Sequence, residues 1–270
     1  MVVTERLRWA DLPGAAVRAI EEKIGPIVDV TPVEGGFNSE IAVRVDTASG
    51  PVFVKGLRLE HPRGWTQRLE AQIAPLTDGL APRLRWRLEI AGWDLLGFEF
   101  VSARPADFSQ GSPDLLLLAD ALTALGRLRA PDLDLKRAED RWRPYVEEVD
   151  VLRFFAGNSL CHTDFNPENV LVADGRVRLA DWAWATVGAP WIDPAVCAIW
   201  LIATGNQSPR EVEEWAARIP AWRTAPAEVI AAFTAANARM WQEIAEGTLG
   251  DWVSSLAAAA TQWAHHHRTA

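Results

Sequence analysis

The middle of the chain carries three polar residues at spacings that suit phosphate chemistry with a metal ion. Asp164 and Asn169 lie in a polar loop that runs into an apolar stretch at 170–172, and Asp181 follows a second apolar stretch at 177–180. An Asp-Gly pair between the stretches predicts a hairpin, which would place the three side chains at one edge of a small sheet. One carboxylate to orient a hydroxyl group, with an Asn and an Asp to hold Mg²⁺, is the set of groups that phosphoryl transfer requires.

The elements before this segment predict a mostly antiparallel sheet with one inserted helix. Ile41, Val43 and Val45 alternate with Ala42 and Arg44, which is typical of a half-buried strand. Helical spacing at 62–77 would put Trp65, Leu69, Ile73 and Leu76 on one face. The full prediction is a helix at 12–24, strands at 27–33, 40–46 and 52–57, the helix at 62–77, and a hairpin of strands at 84–91 and 95–101 that turns at Gly92-Trp93.

The second half of the chain is predicted to be mainly helical. Residues 102–107 read as a linker, and Ser112 followed by Pro113 predicts a helix start. The predicted helices are 112–129, 194–204, 209–218, 226–247 and 250–264, and the only predicted strands are the pair around residues 174–175. His265-His266-His267 near the end is expected to be a frayed tail rather than a metal site.

Composition excludes several classes of function. A net charge of −9 argues against general affinity for nucleic acid or anionic membranes. No apolar stretch approaches the roughly 20 residues of a membrane span, and charges near the start replace the apolar core of a signal peptide. With two cysteines outside any disulfide or metal spacing, we expect a cytoplasmic protein. Lysine is rare: Lys55, in an apolar strand, is one of three.

The motifs together resemble the protein-kinase-like superfamily, and in detail its aminoglycoside phosphotransferase and choline kinase branch. His162-x-Asp164-x-x-x-x-Asn169 with Asp181-Trp182-Ala183 is similar to the catalytic and metal-binding motifs of that superfamily. Residues 34–39 resemble its phosphate-covering loop, 52–55 its lysine strand, and Gly188-x-x-x-x-Asp193-Pro194-Ala195 a segment of that branch. The resemblance implies an α+β, bilobal protein-kinase-like fold: a nucleotide-binding N-lobe at 1–101 and a mainly helical C-lobe at 102–270.

The resemblance also assigns roles to individual residues. It implies that Asp164 accepts or orients the proton of the attacking hydroxyl, while Asn169 and Asp181 ligate Mg²⁺ through oxygen. Lys55, with Glu70 as its ion-pair partner, would position the nucleotide phosphates. The other residues expected to bind the nucleotide are Gly35, Gly36, Asn38 and Ser39 in the phosphate-covering loop, and the backbone of Glu99 and Val101 at the hinge.

For some of these side chains, the sequence allows either a structural or a functional role. His162 is expected to hold the loop by hydrogen bonds rather than to react, and Asp193 is either a helix N-cap or a brace beneath the catalytic loop. Trp184 and Trp191 lie beside the expected site, where they would either stack on a flat part of the substrate or simply pack in the core.

The sequence therefore predicts Mg²⁺-dependent transfer of the ATP γ-phosphoryl group to a hydroxyl of a small molecule, with GTP as an alternative donor. The acceptor would be an aminoglycoside-like antibiotic or a related metabolite, including a biosynthetic intermediate. A catalytically silent nucleotide-binding module is the rival. Between Asp181 and Asp193 only Thr186 carries a hydroxyl, which disfavours a protein kinase switched by phosphorylation. We expect a monomer or weak dimer.

Overall fold

The computed structural model describes residues 6–33, 39–248 and 250–269, and its contacts divide them into two units. The sheet unit consists of the described residues up to Arg104 together with Arg178–Ala183. The helical unit consists of Pro105–Val177 and the described residues from Trp184 onwards. The sequence predicted a single boundary between residues 101 and 102, whereas the contacts also assign the short segment around Asp181 to the sheet unit.

The sheet unit contains one five-stranded antiparallel sheet in the order β1-β2-β3-β5-β4. Its elements are α1 (Gly14–Ile24), β1 (Ile27–Pro32), β2 (Ile41–Thr47), β3 (Val52–Arg58), α2 (Gly64–Ile73), β4 (Leu84–Ile90) and β5 (Trp93–Glu99). This arrangement agrees with the predicted antiparallel sheet and its inserted helix.

Alternation along the central strands separates a hydrophobic core from a polar site. Val52 and Val54 of β3 join Ile20 of α1 in a cluster of buried apolar side chains. Successive side chains of a strand point to opposite faces, so Lys55 is directed away from this cluster. The opposite face of the sheet is the one that carries the ammonium group.

The buried face of α2 differs from the predicted one. Trp65 and Leu76 are 37% and 42% exposed, whereas Gln67 and Glu70 are 2% and 5% exposed. The Gln67 side-chain amide donates to the main-chain carbonyl of Asp94 on β5. Ile73 is fully buried as predicted, but the prediction was wrong for Trp65 and Leu76, because polar partners on the sheet also decide which residues of this segment are buried.

The β4–β5 hairpin turns one residue earlier than predicted. Ala91 and Gly92 have φ values of 50° and 83°, and Trp93 belongs to β5, paired with Ile90. A two-residue turn with positive φ at both positions matches the right-handed twist of its strands. Glycine is favoured in this conformation, which leaves Trp93 to pack in the core.

The rest of the chain carries many more helices, with short strands between them. Its elements are β6 (Arg104–Pro105), α3 (Asp114–Leu125), β7 (Lys136–Arg137), α4 (Ala138–Arg141), α5 (Leu152–Phe155), β8 (Ser159–Cys161), β9 (Val170–Ala173), β10 (Arg176–Leu179), β11 (Thr186–Gly188), α6 (Ile192–Gly205), α7 (Pro209–Ala216), α8 (Pro220–Arg223), α9 (Ala227–Gly247) and α10 (Asp251–Thr269). Helix α3 is shorter than the predicted 112–129, and the α+β class is confirmed.

A small sheet in the order β7-β11-β8 was not predicted. Strand β11 pairs in parallel with β7 and antiparallel with β8, with Thr186 opposite both Lys136 and Cys161. Each strand has only two or three residues, too few for a period-2 pattern to stand out. This sheet ties the segment after Asp181 to the strand that leads into the loop at His162.

An aromatic cluster packs against helix α9 in the helical unit. Phe233 of α9 packs against Trp142 and Phe155 with ring centroids 4.8 and 5.2 Å apart. The expectation of a frayed tail was wrong, because α10 continues to Thr269 and His267 packs 4.2 Å from the Trp263 ring. None of the described helices is both long and apolar enough to cross a membrane.

Candidate active site

In the sheet unit, one ammonium group meets two carboxylates. Lys55 of β3 forms an ion pair with Glu70 of α2, and its Nζ lies 3.9 Å from Oδ1 of Asp181. Lys55 and Glu70 are 8% and 5% exposed. The Phe98 ring, with its centroid 5.8 Å from Nζ, covers the cation from the same side of the sheet. The structure thus brings together the predicted lysine, its predicted partner and one predicted metal ligand.

Within this cluster, attraction between opposite charges opposes the effect of burial on the pKa values. Burial lowers the pKa of Lys55, but Glu70 and Asp181 more than offset it, so the pKa is raised and the lysine stays charged. Burial raises the pKa of Glu70, although attraction to Lys55 and the backbone N–H of Trp182 oppose the rise. The site therefore combines a fixed positive charge with a carboxylate pair of which one member is desolvated.

The segment that carries Asp181 is attached to the sheet unit by its own backbone. The N–H of Leu179 donates to the Leu80 carbonyl at 2.7 Å, and the indole N–H of Trp182 donates to the Leu179 carbonyl at 3.0 Å. Asp181 itself has φ 58°, a left-handed conformation that is uncommon outside glycine. Such a backbone is stable only where surrounding contacts hold it, and these bonds provide them.

In the helical unit, Asp193 braces the loop that carries Asp164. Its two carboxylate oxygens accept the backbone N–H groups of His162 and Thr163, at 3.0 and 2.9 Å. Helix α6 begins at Ile192, so Asp193 lies inside the first turn and the alternative of an N-cap is wrong. Burial raises the pKa of Asp193 to about 7, against the opposing effect of these N–H groups and of Arg141.

The loop that contains Asp164 is folded by hydrogen bonds between residues close in sequence. His162 is fully buried and its Nδ1 accepts the N–H of Asp164 at 3.2 Å, so it holds the loop. Oδ1 of Asp164 accepts the N–H of Asn166 at 3.4 Å, and the Asn166 side chain caps the turn at Pro167–Asn169. Asn169 is 8% exposed at the end of this turn. Asp164 is half-buried, and both Thr163 before it and Asn166 after it are held by hydrogen bonds.

Thr163 connects this loop to the strand β11 region through Arg141. Oγ1 of Thr163 donates to the Trp184 carbonyl at 2.7 Å and accepts from Nη1 of Arg141 at 2.6 Å. The same nitrogen lies 3.0 Å from Oγ1 of Thr186. Sequence reasoning missed these contacts, because Arg141 belongs to a charged stretch without a motif and Thr163 is the variable position of His-x-Asp.

The two tryptophans named as substrate residues differ in surroundings. Trp191 is 6% exposed, and its ring makes edge contacts with Phe155 and Phe233. Its prediction as a stacking residue was wrong because aromatic neighbours already occupy that ring. Trp184 is half-buried, with Nζ of Lys136 over its ring at 5.3 Å, so it remains the candidate.

The nucleotide-binding residues are only partly described. Gly35, Gly36 and Asn38 lie outside the described residues, and Ser39 is 7% exposed with its carbonyl accepting from Arg6 at 3.0 Å. The N–H of Glu99 donates to the Arg83 carbonyl at 2.9 Å. The sheet thus uses the N–H of Glu99, and the expected contact of the Glu99 backbone with adenine stays a prediction.

Val101 follows the end of β5 as predicted for a hinge residue, and its role stays a prediction. Within the described parts of the chain, no group of three or more His, Cys, Asp and Glu side chains gathers as a metal cluster. A Mg²⁺ ion bound with a nucleotide needs only one or two protein carboxylates, since phosphate oxygens and water complete its shell.

Comparison with solved structures finds the same fold in three kinases of different substrates. Choline kinase LicA from Streptococcus pneumoniae is 18% identical, with 93% of this chain and 99% of that chain covered and a TM-score of 0.65. An aminoglycoside phosphotransferase from Alicyclobacillus acidocaldarius is 16% identical, with 98% of each chain covered and a TM-score of 0.65. A putative fructosamine-3-kinase from Haemophilus somnus is 13% identical, with 92% and 96% covered and a TM-score of 0.58.

At these identities the structural likeness shows the fold alone. A comparison with curated proteins gave no match. The model of the phosphotransferase enzyme family, APH, matches residues 29–246, which is most of the chain and includes the segments of Lys55, Asp164 and Asp193. The resemblance drawn from the motifs is confirmed, and the chain belongs to the phosphotransferase enzyme family.

Proposed function

We propose that the protein is a Mg²⁺-dependent kinase that transfers the γ-phosphoryl group of ATP to a hydroxyl group of a small molecule. The observation that carries the proposal is the loop at Asp164. The carboxylate of Asp193 accepts the N–H groups of His162 and Thr163, the two residues before Asp164. The ring of the fully buried His162 accepts the N–H of Asp164 itself. A carboxylate on a loop fixed in this way is suited to accept or orient a hydroxyl proton.

Lys55 is proposed to bind the nucleotide phosphates. The pKa of its ammonium is raised, so Lys55 is charged at neutral pH, and the ion pair with Glu70 holds the ammonium in place. Support comes from relatives of the same fold: LicA has been solved in complex with AMP, and aminoglycoside phosphotransferase APH(4)-Ia with ADP and hygromycin B. The predicted hinge contacts are made by backbone groups, whose side chains carry no signal for the base, so ATP is the default donor and GTP the alternative.

Asn169 and Asp181 are proposed to hold Mg²⁺. Both offer oxygen donors, which fit a hard cation of this kind. When bound, the ion would neutralise charge on the phosphate oxygens during transfer. The residues of the chain itself contribute the proton acceptor Asp164 and the fixed cation Lys55.

For the acceptor, a metabolite is favoured over an aminoglycoside-like antibiotic by one observation. The ring of Trp184, the candidate stacking residue, has Lys136 at 5.3 Å and Arg141 at 5.8 Å. Two cations beside that ring repel a polycationic acceptor and suit a neutral or acidic one. We accordingly propose a small-molecule acceptor in the cytoplasm and rank neutral or acidic hydroxy compounds first.

The test is phosphoryl transfer from labelled ATP and GTP, with and without Mg²⁺. Acceptors to be screened are aminoglycosides, amino alcohols, nucleosides, sugars and sugar acids. Asp164→Ala should lower kcat by about 10²-fold or more, the contribution of a general base, while nucleotide binding survives. Asp150→Ala, an exposed carboxylate elsewhere in the same unit, is the control. Near-normal turnover of Asp164→Ala would refute the assignment, and a wild-type protein without any transfer or ATP hydrolysis would favour the silent module.

A further inference from the structure

We infer that Arg141 is a positioning residue, which aligns Asp164 by gripping the side chain of Thr163; the inference rests on the proposed function of Asp164. Arg141 ends helix α4 and is far from the motifs in sequence. Its Nη1 lies 2.6 Å from Oγ1 of Thr163, 3.0 Å from Oγ1 of Thr186 and 3.4 Å from the carbonyl of Trp184. One guanidinium thereby connects the loop before Asp164 to the chain just before and within β11.

The backbone conformation of Thr163 requires stabilising contacts of this kind. Its φ is 62°, and a β-branched residue in the left-handed region is an outlier that its surroundings must enforce. Its N–H is bound by Asp193, and its hydroxyl both donates to Trp184 and accepts from Arg141. Because Thr163 precedes Asp164 directly, any relaxation of its backbone rotates the Asp164 carboxylate.

Arg141 is itself held rigidly enough to act as an anchor. Its guanidinium lies over the Trp142 ring, 4.8 Å from the centroid. Trp142 is fully buried, and its indole N–H donates to Oδ1 of Asn237 on α9 at 3.3 Å. The cation is thus stacked on a ring that the helical core fixes, in the manner for which arginine is better suited than lysine.

The charge of Arg141 also acts on Asp164. Burial lowers the pKa of Arg141 to about 10, while attraction to Asp164, Asp193 and Cys161 opposes the fall, so the guanidinium is charged at neutral pH. Lys136 also interacts with Arg141, and the two cations repel. A positive charge beside Asp164 favours its ionised form, the form that can take up a proton. Loss of the charge should therefore shift the dependence of kcat on pH.

The experiment separates positioning from mere stabilisation. Arg141→Met keeps the aliphatic stem, and Thr163→Val keeps the branched shape while it removes the hydroxyl. Both should lower kcat about 10- to 100-fold, since small misplacements of a catalytic group have effects of this size. KM for ATP should change less than about twofold. Only Arg141→Met should also move the acidic limb of the kcat profile to higher pH, and Thr163→Ser should restore most of the activity.

Arg143→Met is the matched control, because Arg143 is exposed and forms an ion pair with Asp140 at the surface, at 3.6 Å. A folded Arg141→Met with kcat within about threefold of wild type, or an unshifted pH profile, overturns the inference. If Arg141→Met fails to fold, a Thr163→Val variant as active as Thr163→Ser overturns it.

Amide hydrogen exchange at His162 and Thr163 gives a readout independent of activity. In Arg141→Met these amides should exchange at least about tenfold faster than in wild type, whereas Arg143→Met should leave them unchanged. Should the wild type transfer no phosphate at all, the proposed function fails, and the exchange data alone decide whether Arg141 holds the loop: unchanged exchange overturns the grip.

Discussion

The cluster of one buried ammonium and two carboxylates predicts different losses of stability when different members are replaced. Lys55→Met leaves Glu70 and Asp181 without the cation that they share, whereas Glu70→Gln leaves Lys55 with Asp181 at 3.9 Å. We expect Lys55→Met to reduce the free energy of unfolding clearly more than Glu70→Gln does. The reason is that an uncompensated buried charge costs more than a weakened pair.

The distances set the magnitudes. Two unit charges 3.9 Å apart attract by about 4 kcal/mol at an effective dielectric constant of roughly 20, so Glu70→Gln preserves a substantial interaction for Lys55. Its expected cost is about 1–3 kcal/mol, that of a buried group short of one partner. Lys55→Met breaks both interactions and should cost about 3–5 kcal/mol.

Urea unfolding, followed by the fluorescence of the 14 tryptophans, measures both costs. The pH adds a second signature. Burial already raises the pKa of Glu70, and without Lys55 its folded-state pKa rises further above the unfolded value. The native variant then holds a proton that the unfolded chain releases, so its stability is lost as pH rises and recovers as pH falls toward 5.

Lys23→Met is the matched control, since Lys23 is exposed in the last turn of α1. It should change the free energy of unfolding by less than about 0.5 kcal/mol at every pH. The reasoning is refuted if Glu70→Gln costs as much as Lys55→Met, or if Lys55→Met gains no stability relative to wild type on acidification.

Three further predictions concern the folded state. Because burial raises the pKa of Asp193 to about 7, the wild type should lose stability between pH 4 and 7 by at most about 1.4 kcal/mol per unit relative to Asp193→Asn, as measured by urea unfolding at several pH values. Gly97→Ala should cost about 1–3 kcal/mol in the same assay, since a Cβ at Gly97 overlaps the ring of Trp86. Ser208→Ala should cost about 1 kcal/mol, because the Ser208 side chain accepts the N–H of Glu211 at the start of α7.

Each of these has a control and a contradicting outcome. Parallel stability curves for wild type and Asp193→Asn between pH 4 and 7 would show that the carboxyl is ionised throughout. Gly247→Ala, where a Cβ meets open space, controls for Gly97→Ala, and equal effects of the two would exclude overpacking. Ser254→Ala, at an exposed interior position of α10, controls for Ser208→Ala, and the capping argument fails if both cost the same.

The sequence alone predicted most of the fold's strands and pointed to the residues of the candidate site. Strand β3 was predictable because its apolar residues and a single lysine carry a local pattern, and the loop at Asp164 because its polar residues lie at fixed offsets. The Lys55–Glu70 pair followed from the family resemblance rather than from spacing. Helices α6, α7, α9 and α10 were visible through caps and apolar periodicity.

The tertiary structure decided which faces are buried and which polar groups meet. Spacing predicted Trp65 on the buried face of α2, but the sheet offers partners to Gln67 and Glu70 instead. Strands of two or three residues, such as β7, exist only because distant segments pair with them. Arg141 and Thr163 meet across 22 positions of sequence, and no local pattern marks a contact that depends on where the folded chain brings a donor to an acceptor.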